Sequence, residues 1–193
     1  MIAHIQGQFI QVTPAYVVVD CHGVGYCLHI SLYTFEKIKD QKNGLLFSHL
    51  SIKEDGHTLY GFVDEAERNL FRQLILVNGV GANTARMMLS SLNPGELYNA
   101  IVNGNVGLLK SIKGIGEKTA QRIVIDLQSK LSKEGLNGEH SMPATPGNAN
   151  QRMAMEALVT LGFNRVAVEK TLTKLNLQNQ NTEDIIKQAL KVL

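Results

Sequence analysis

Two short glycine turns are the residues of this chain best placed to bind an anion. The first turn is Gly79-Val80-Gly81, and the second is Gly114-Ile115-Gly116, 35 positions further along. Glycine lacks a Cβ and readily adopts positive φ, so the backbone N–H groups of such turns can remain open to a ligand. If a helix follows each turn, its dipole and its unpaired first N–H groups favour a negative charge there. The pattern therefore predicts two related anion sites.

The same offset of 35 residues relates the segments that flank the glycines. Leu74 corresponds to Leu109, and Thr84 corresponds to Thr119. A repeat at fixed offset indicates a duplicated structural unit, and the apolar residues after each turn recur at i, i+3, i+4 and i+7, as on one buried helix face. These residues are Ala85, Met88, Leu89 and Leu92 in the first copy and Ala120, Ile123, Val124 and Leu127 in the second. The sequence predicts paired helix-hairpin-helix motifs.

Positive charge is concentrated in the segment that holds the repeat. The chain has a formal net charge of +2, but residues 70–130 carry seven basic and three acidic side chains, whereas residues 1–63 carry four and five. We expect the N–H groups of the two turns to bind phosphates, with Lys118 and Arg122 adding charge. Such contacts position a duplex without reading its bases, so we expect binding that is indifferent to sequence and weakened by salt.

Composition favours a soluble, cytosolic protein with several small cores. The chain has 193 residues with 6% aromatic side chains and no Trp, and no apolar run approaches the roughly 20 residues of a membrane span. The first residues resemble a strand rather than a signal peptide. Cys21 and Cys27 lack metal-ligand spacing, and we expect both to be reduced packing residues.

Residues 1–63 have the alternating pattern of a small β-domain. The predicted strands cover 2–10, 16–21, 25–30, 45–53 and 58–62, and a short helix at 33–39 follows the third strand. Five strands with a helix in this position favour a closed five-stranded β-barrel of the OB-fold type. The fold class is therefore α+β with several domains.

Consecutive carboxylates, Glu54 and Asp55, fall at the predicted turn between the last two strands. One interpretation is a polar turn that stays in solvent. A catalytic pair is a second, although no further acids or metal ligands with recognisable spacing lie nearby. A third is that the acids face a bound nucleic acid, repel its phosphates and push its strands aside.

Helices predominate in the rest of the chain. Residues 64–131 predict a bundle of five helices that carries both hairpins, opened by Asp64 as N-cap with Glu67 at the capping-box position. Residues 132–150 are rich in Gly, Ser, Asn and Pro and predict a flexible linker. Residues 151–193 predict a module of three short helices, with Gly162 as a C-cap and Asn164 and Thr182 as N-caps.

The second turn is only superficially similar to a nucleotide-binding P-loop. A P-loop places Gly before its Lys and follows a strand, whereas Glu117 precedes Lys118 and a helix is predicted before this turn. We therefore expect no nucleotide-hydrolysis site, no cofactor and no metal in this chain. The protein is predicted to bind a ligand and not to be an enzyme.

Six segments, in this order and spacing, are typical of one family. They are Met1-Ile2-Ala3-His4-Ile5-Gln6-Gly7, Gly23-Val24-Gly25-Tyr26, Glu54-Asp55, Leu59-Tyr60-Gly61-Phe62, Asn78-Gly79-Val80-Gly81 and Gly114-Ile115-Gly116-Glu117-Lys118-Thr119-Ala120. Through them the whole chain resembles the RuvA family of Holliday-junction-binding subunits of the bacterial branch-migration machinery. The resemblance implies a homotetramer, or an octamer, that opens a four-way junction into a near-planar cross. Each subunit would hold the minor-groove phosphates of one arm, and Glu54 and Asp55 would form an acidic pin at the crossover.

The resemblance also implies protein partners in recombination and DNA repair. The C-terminal module resembles a ubiquitin-associated fold and would contact the hexameric ATPase RuvB, which itself uses ATP and Mg²⁺; the resolvase RuvC is a further implied partner. The residues that we expect at the motor contact are Leu158, Leu161, Gly162 and Phe163. Asn83 and Glu117 stand where many relatives carry Lys. We expect Arg86 to compensate for the first change, and nothing obvious compensates for the second.

Two alternatives belong to other functional classes. A helix-hairpin-helix DNA glycosylase would combine a hairpin Lys, such as Lys118, with an Asp in a later turn, and act on a flipped base. Asp126, however, belongs to the continuing helix, and residues 132–150 contain no Asp. A generic hairpin scaffold would bind DNA with no preference for junctions.

Overall fold

A closed barrel occupies the first third of the chain in the computed structural model, which describes residues 2–54, 56–138, 146–175 and 180–192. Its elements are β1 His4–Val12, β2 Tyr16–Cys21, β3 Val24–His29, α1 Leu32–Ile38, β4 Asn43–Lys53 and β5 Gly56–Phe62. The strand order is β1-β2-β3-β5-β4, with β3 and β5 parallel and the other neighbours antiparallel. The predicted barrel is confirmed, and its strand ends differ from the prediction by at most two residues.

Alternation of side chains along the strands produces the interior of the barrel. Val17 and Val19, two positions apart on β2, are fully buried, as are Leu28 on β3 and Leu46 on β4. Successive side chains of a strand point to opposite faces, so every second apolar residue reaches the interior. The cluster continues into α1 through Ile38. Helix α1 therefore contributes to the core of the barrel.

Five helices follow the barrel, as predicted. They are α2 Glu65–Leu74, α3 Ala82–Ser91, α4 Pro94–Val102, α5 Val106–Lys110 and α6 Glu117–Gly138. Helix α4 begins with a capping box between Asn93 and Glu96 and has Pro94 in its first turn. Tyr60 and Phe62 of β5 belong to the helical core. Residues 1–136 consequently form one compact unit, and position 63 marks a change of secondary structure and not a gap in packing.

The carboxylate of Glu67 does not complete a capping box. Asp64 does cap α2, because its side chain accepts the Glu67 amide at 2.8 Å. The Glu67 carboxylate instead lies fully buried and accepts hydrogen bonds from the hydroxyls of Ser31 and Thr34. Burial raises the pKa of this carboxyl to about 7, although the two hydroxyl bonds act in the opposite direction. The side chain joins α1 to α2, because both hydroxyls belong to the start of α1.

Residues 137–193 form the second compact unit. Its helices are α7 Pro146–Thr160, α8 Arg165–Lys174 and α9 Thr182–Leu190, around a small core that includes Leu158, Leu172 and Ile185. Gly162, with φ +99°, ends α7 as predicted. The cap of α9 is Asn181, whose side chain accepts the Asp184 amide at 2.8 Å. This corrects the predicted cap at Thr182, which is already helical.

Helices extend into both ends of the predicted linker. Helix α6 continues to Gly138, and α7 begins at Pro146, so only residues 139–145 of the stretch 132–150 lie outside the described residues. Composition was misleading at Pro146 because proline is well tolerated in the first helical turn, where its missing N–H has no partner to lose. At the other end, the buried Leu131 continues the apolar face of α6 beyond the second hairpin.

Both cysteines are free, as expected, but only one of them has a packing role. Cys21 is half-buried and donates its thiol to the carbonyl of Gln6 at 3.2 Å, whereas Cys27 is exposed. The packing role predicted for Cys27 is therefore wrong, because alternation along β3 turns its side chain outward.

None of the described helices has the length and apolar character required of a membrane span.

Candidate nucleic-acid interface

The two predicted turns form the same backbone hydrogen bonds, 35 positions apart. Each turn has two bonds to a carbonyl three residues earlier, and each following helix begins with a bond to a carbonyl four residues earlier. The recurring pairs, amide first, are Val77 to Leu74, Val80 to Val77 and Ala85 to Gly81 in the first copy, and Ile112 to Leu109, Ile115 to Ile112 and Ala120 to Gly116 in the second, at 2.9–3.3 Å. The sequence repeat is therefore a structural repeat.

The two glycines of each turn differ in why glycine is found there. Gly79 and Gly114 have φ of +91° and +88°, a conformation that strains residues with a side chain. Gly81 and Gly116 do not have positive φ, and a Cβ added to either would meet no atom within 4 Å. Neither the backbone conformation nor packing within the chain requires glycine at these two positions. Glycine there leaves open access for a ligand from outside.

The central apolar residue of each turn anchors it. Val80 and Ile115 are buried, at 4% and 5% exposure, and their amides are already bonded within the turn. In the described part of the chain, the amides of the four flanking glycines donate to no protein acceptor. The first amides of α3 also lack a side-chain cap, because its N-cap residue is Gly81. The open donors therefore lie on both sides of the buried anchors.

Exposed cations surround the second turn. Lys113 and Lys118 are exposed, and neither forms an ion pair with another described residue. Arg122, one helical turn after Lys118, is also exposed and lies 3.7 Å from the carboxylate of Asp126. Surface pairs of this kind contribute little to stability. The predicted cations Lys118 and Arg122 are thus on the surface of the same helix that begins at the second turn.

Among the described residues, no exposed cation of this kind lies on the helix that follows the first turn. Arg86, expected to compensate for Asn83, donates instead to the carbonyls of Ala15 and Ile30 at 3.1 and 3.3 Å. The guanidinium therefore faces the barrel, and its expected compensating role is not supported. Asn83 accepts a hydrogen bond from the hydroxyl of Tyr60 at 3.3 Å. The open amides of the first turn thus have few positive side chains near them.

Glu54 lies at the exposed turn between β4 and β5, where Lys53 pairs with Gly56. It forms no ion pair with another described residue. Its predicted partner Asp55 is outside the described residues. No group of three His, Cys, Asp or Glu side chains that could hold a metal occurs within the described ranges. The geometry of the tip at Glu54 thus agrees with a solvated carboxylate.

The residues predicted for the motor contact differ in exposure. Leu158 is fully buried in the core of the C-terminal unit, and Phe163 packs against that core. Leu161 is 63% exposed beside the cap residue Gly162. The sequence prediction did not name the other exposed apolar side chains of this unit, which lie outside its core cluster. These are Met153, Val159, Leu190 and Val192.

Three protein-family models match successive parts of the chain. The RuvA N terminal domain matches residues 1–61, the SAM-like helix-hairpin-helix tandem matches residues 71–129, and the RuvA C-terminal domain matches residues 154–193. The middle match contains both glycine turns. The first match covers the barrel as far as Gly61, and the last begins within α7 and covers the rest of the three-helix unit.

Curated relatives match over their entire lengths. The chain is 48% identical to a protein of Flavobacterium psychrophilum, 46% identical to one of Christiangramia forsetii and 42% identical to one of Cytophaga hutchinsonii, with 100% of both chains covered in each case. All three are called Holliday junction branch migration complex subunit RuvA.

Proposed function

The chain belongs to the RuvA family, and we propose that it is the junction-binding subunit of a branch-migration complex. The observation in this chain that carries the proposal is the pair of open glycine turns with one hydrogen-bond pattern. The relatives named above are subunits that, by their names, act on Holliday junctions. The proposed ligand is therefore four-way junction DNA.

Each open turn would hold a phosphate through backbone amides. The donors are the amides of Gly79, Gly81, Gly114 and Gly116 and the first amides of the following helices, with Val80 and Ile115 as anchors. Lys118 and Arg122 add charge at the second turn. Hydrogen bonds to phosphate position the duplex and carry no base information, so the binding should be independent of sequence. It should also weaken steeply with salt, because bound cations are released.

The acidic tip would give the preference for a junction. Glu54 is exposed and free of ion pairs with the described residues. A carboxylate at the crossover, together with Asp55, would repel phosphates and keep the strands apart. Neutralising the tip in a Glu54→Gln, Asp55→Asn variant should then leave junction affinity unchanged or tighter and alter migration. A large loss of affinity would contradict a repulsive role.

Assembly would multiply these contacts. Each subunit has two phosphate turns and few free cations, which gives a weak contact per arm. Four subunits around a four-way junction would act together, because linked sites gain effective concentration. We propose a homotetramer, or an octamer in which a second tetramer covers the other face of the junction.

The chain itself would bind, and a partner would supply the energy. We propose that the hexameric ATPase RuvB docks on the C-terminal unit, where Leu161 is exposed beside Gly162, with Leu158 and Phe163 supporting this surface from the core. ATP and Mg²⁺ would be used by that motor, and this chain would need no cofactor. RuvC would act on the same junction. The proposed place of action is the bacterial cytoplasm.

Substitution at the open glycines tests the proposal. Gly116→Val and Gly81→Val place a β-branched side chain where the phosphate would approach, and the added Cβ meets no atom of the protein within 4 Å. We expect each to weaken junction binding by about tenfold or more, because charge-assisted hydrogen bonds to the phosphate are lost. The measurement is a mobility-shift titration with a four-way junction and with linear duplex, at two salt concentrations and with the mass of the assembly recorded.

Gly25→Val is the matched control. Gly25 is exposed on β3, and a Cβ there would have only an ordinary contact with Val18 at 3.6 Å. This variant should bind the junction as the unaltered protein does. Unchanged affinity of folded Gly116→Val would contradict the hairpin assignment. Equal affinity for duplex and junction would favour a generic scaffold, and release of a damaged base would favour a glycosylase.

A further inference from the structure

The two hairpins differ in one ion pair. Lys110, the last residue of α5, lies with its Nζ 3.2 Å from the Oε2 of Glu117, the first residue of α6. The pair therefore spans the second turn from end to end. At the corresponding positions of the first hairpin, 35 residues earlier, the chain has Ile75 and Ala82. No such pair can form there.

This pair places a carboxylate beside the second anion site. Glu117 directly follows Gly116, whose amide has no acceptor among the described residues. A carboxylate in the first turn of a helix is stabilised by the helix dipole, as a phosphate would be. Lys110 and Glu117 are 56% and 61% exposed, so either can turn to another partner.

We propose that the carboxylate of Glu117 competes with the DNA phosphate for Lys110 and for the positive end of α6. When DNA binds, the phosphate replaces Glu117 as the partner of Lys110. The inference rests on the proposed function and specifies how one of its two phosphate sites is regulated. The first turn would then bind by its backbone alone, and the second by an exchange of partners. An exposed ion pair is worth up to about fivefold in a binding constant, so the loss of the pair with Lys110 has a small but measurable cost.

The remaining effect of Glu117 is repulsion. A carboxylate about 6 Å from a phosphate weakens binding roughly threefold in water. Its removal should also leave Lys110 unpaired in the free protein. In the bound state Lys110 reaches the same phosphate with or without Glu117, so the dependence of log affinity on log salt should stay nearly the same. The proposal thus predicts a gain of affinity, whereas a residue with a merely structural role would give a loss.

The test is a fluorescence-anisotropy titration of the full-length protein with a synthetic four-way junction, at several salt concentrations. We expect Glu117→Gln to bind about threefold more tightly or better at low salt, with a salt dependence close to that of the unaltered protein. The gain should shrink when Lys110→Gln is added, because part of it comes from the released lysine. Glu36→Gln is the control, since Glu36 also forms an exposed pair, with Lys39 at 2.5 Å, but on α1.

The outcomes separate this inference from the proposed function. Junction binding by the unaltered protein, with equal or weaker binding by Glu117→Gln, would overturn the inference and leave the proposed function standing. A gain that persists in full with Lys110→Gln would overturn the exchange of partners. Tighter binding by Glu36→Gln to the same degree would show a general charge effect and would also overturn it. If the unaltered protein does not bind junctions, both proposals are wrong.

Discussion

Single residues of the hairpins divide into those that hold the backbone and those that leave it open. Val80 and Ile115 are buried and bonded, so they fix the turn without facing a ligand. Gly81 and Gly116 contact nothing at the position of a Cβ. A phosphate site made of backbone amides needs both kinds of residue, because a donor that is open must also be rigid to avoid an entropy cost on binding.

The buried carboxyl of Glu67 should make the free energy of unfolding depend on pH. Its pKa is raised from 4.5 to about 7, with burial as the largest cause. The folded state therefore binds more protons than the unfolded state between these values, and this contribution to stability falls as pH rises through about 7. We expect a loss of at most ~3 kcal/mol in the free energy of unfolding, measured by urea unfolding across this range.

Glu67→Gln is the comparison that isolates this effect. Glutamine keeps the shape and can still bond the hydroxyls of Ser31 and Thr34, but it does not titrate. The pKa values of His29 and His49 are lowered by burial first, so these groups act in the opposite direction, and both remain in the variant. Identical pH profiles for the two proteins would show that Glu67 does not titrate in this window.

At the scale of elements, helix α3 is fixed to the barrel by polar contacts from the residues just after the first turn. Arg86 donates to two barrel carbonyls, and Asn83 accepts from Tyr60 of β5. Tyr60 itself lies in the helical core, with its ring 5.1 Å from that of Phe71. The barrel therefore sets the position of the first hairpin, and β5, which begins beside the acidic tip, contacts that hairpin through Tyr60.

Arg86 should matter for the stability of the fold, whereas Arg122 should matter for DNA binding. Arg86→Met leaves two carbonyls without their charged donor and should lower the free energy of unfolding by about 2 kcal/mol or more. Arg122→Met removes the same charge from an exposed position and should change stability by less than about 0.5 kcal/mol. Urea unfolding followed by circular dichroism measures both values.

Junction titrations of the same two variants complete the test. Arg122→Met should weaken binding and lower its salt dependence, because a phosphate contact is lost. Arg86→Met, where folded, should keep the salt dependence of the unaltered protein. The reverse result, with stable Arg86→Met showing a shallower salt dependence, would restore Arg86 as a phosphate contact and contradict its place against the barrel.

At the scale of the whole molecule, the chain has two compact units with separate cores. Residues 1–136 hold the barrel and both turns, and residues 137–193 hold the three-helix core around Leu158. Each proposed task is contained in one unit. DNA binding and motor docking should therefore be separable by mutation.

A chain that ends at residue 136 should bind junctions with the affinity and salt dependence of the full chain. It should no longer stimulate the ATPase of the motor, because the proposed docking surface is absent. In the full chain, Leu161→Ser should reproduce this loss, since Leu161 is 63% exposed and its replacement leaves the core intact. Junction titration and ATP hydrolysis by added motor measure the two properties.

Val24→Ser is the control for the surface change. Val24 is 54% exposed on the barrel and should affect neither property. Full motor stimulation by Leu161→Ser and by the shortened chain would place the docking surface elsewhere. Loss of junction binding by the shortened chain would show that the two units do not work independently.

Local patterns were enough to predict most elements. The strands of the barrel, the five helices after it and the two hairpins follow from period-two alternation, from period-3.6 apolar faces and from the glycine repeat. The errors occurred where one residue type serves two structures. Composition predicts a linker at Pro146, which starts a helix, and spacing predicts a cap role for Glu67, whose side chain is buried.

The sequence by itself determined the repeat, the glycines at both turns and the charge around the second one, because these are properties of residue type and spacing. Only the tertiary structure decided which partners the long polar side chains contact. Arg86 turns to the barrel, Glu67 bonds two hydroxyls of α1, and Glu117 pairs with Lys110 across the second turn. The first two choices depend on partners that are distant in sequence, and the third depends on the shape of the turn, which brings the ends of α5 and α6 together. The sequence predicted the second glycine turn, but it did not predict that Glu117 pairs with Lys110 across that turn.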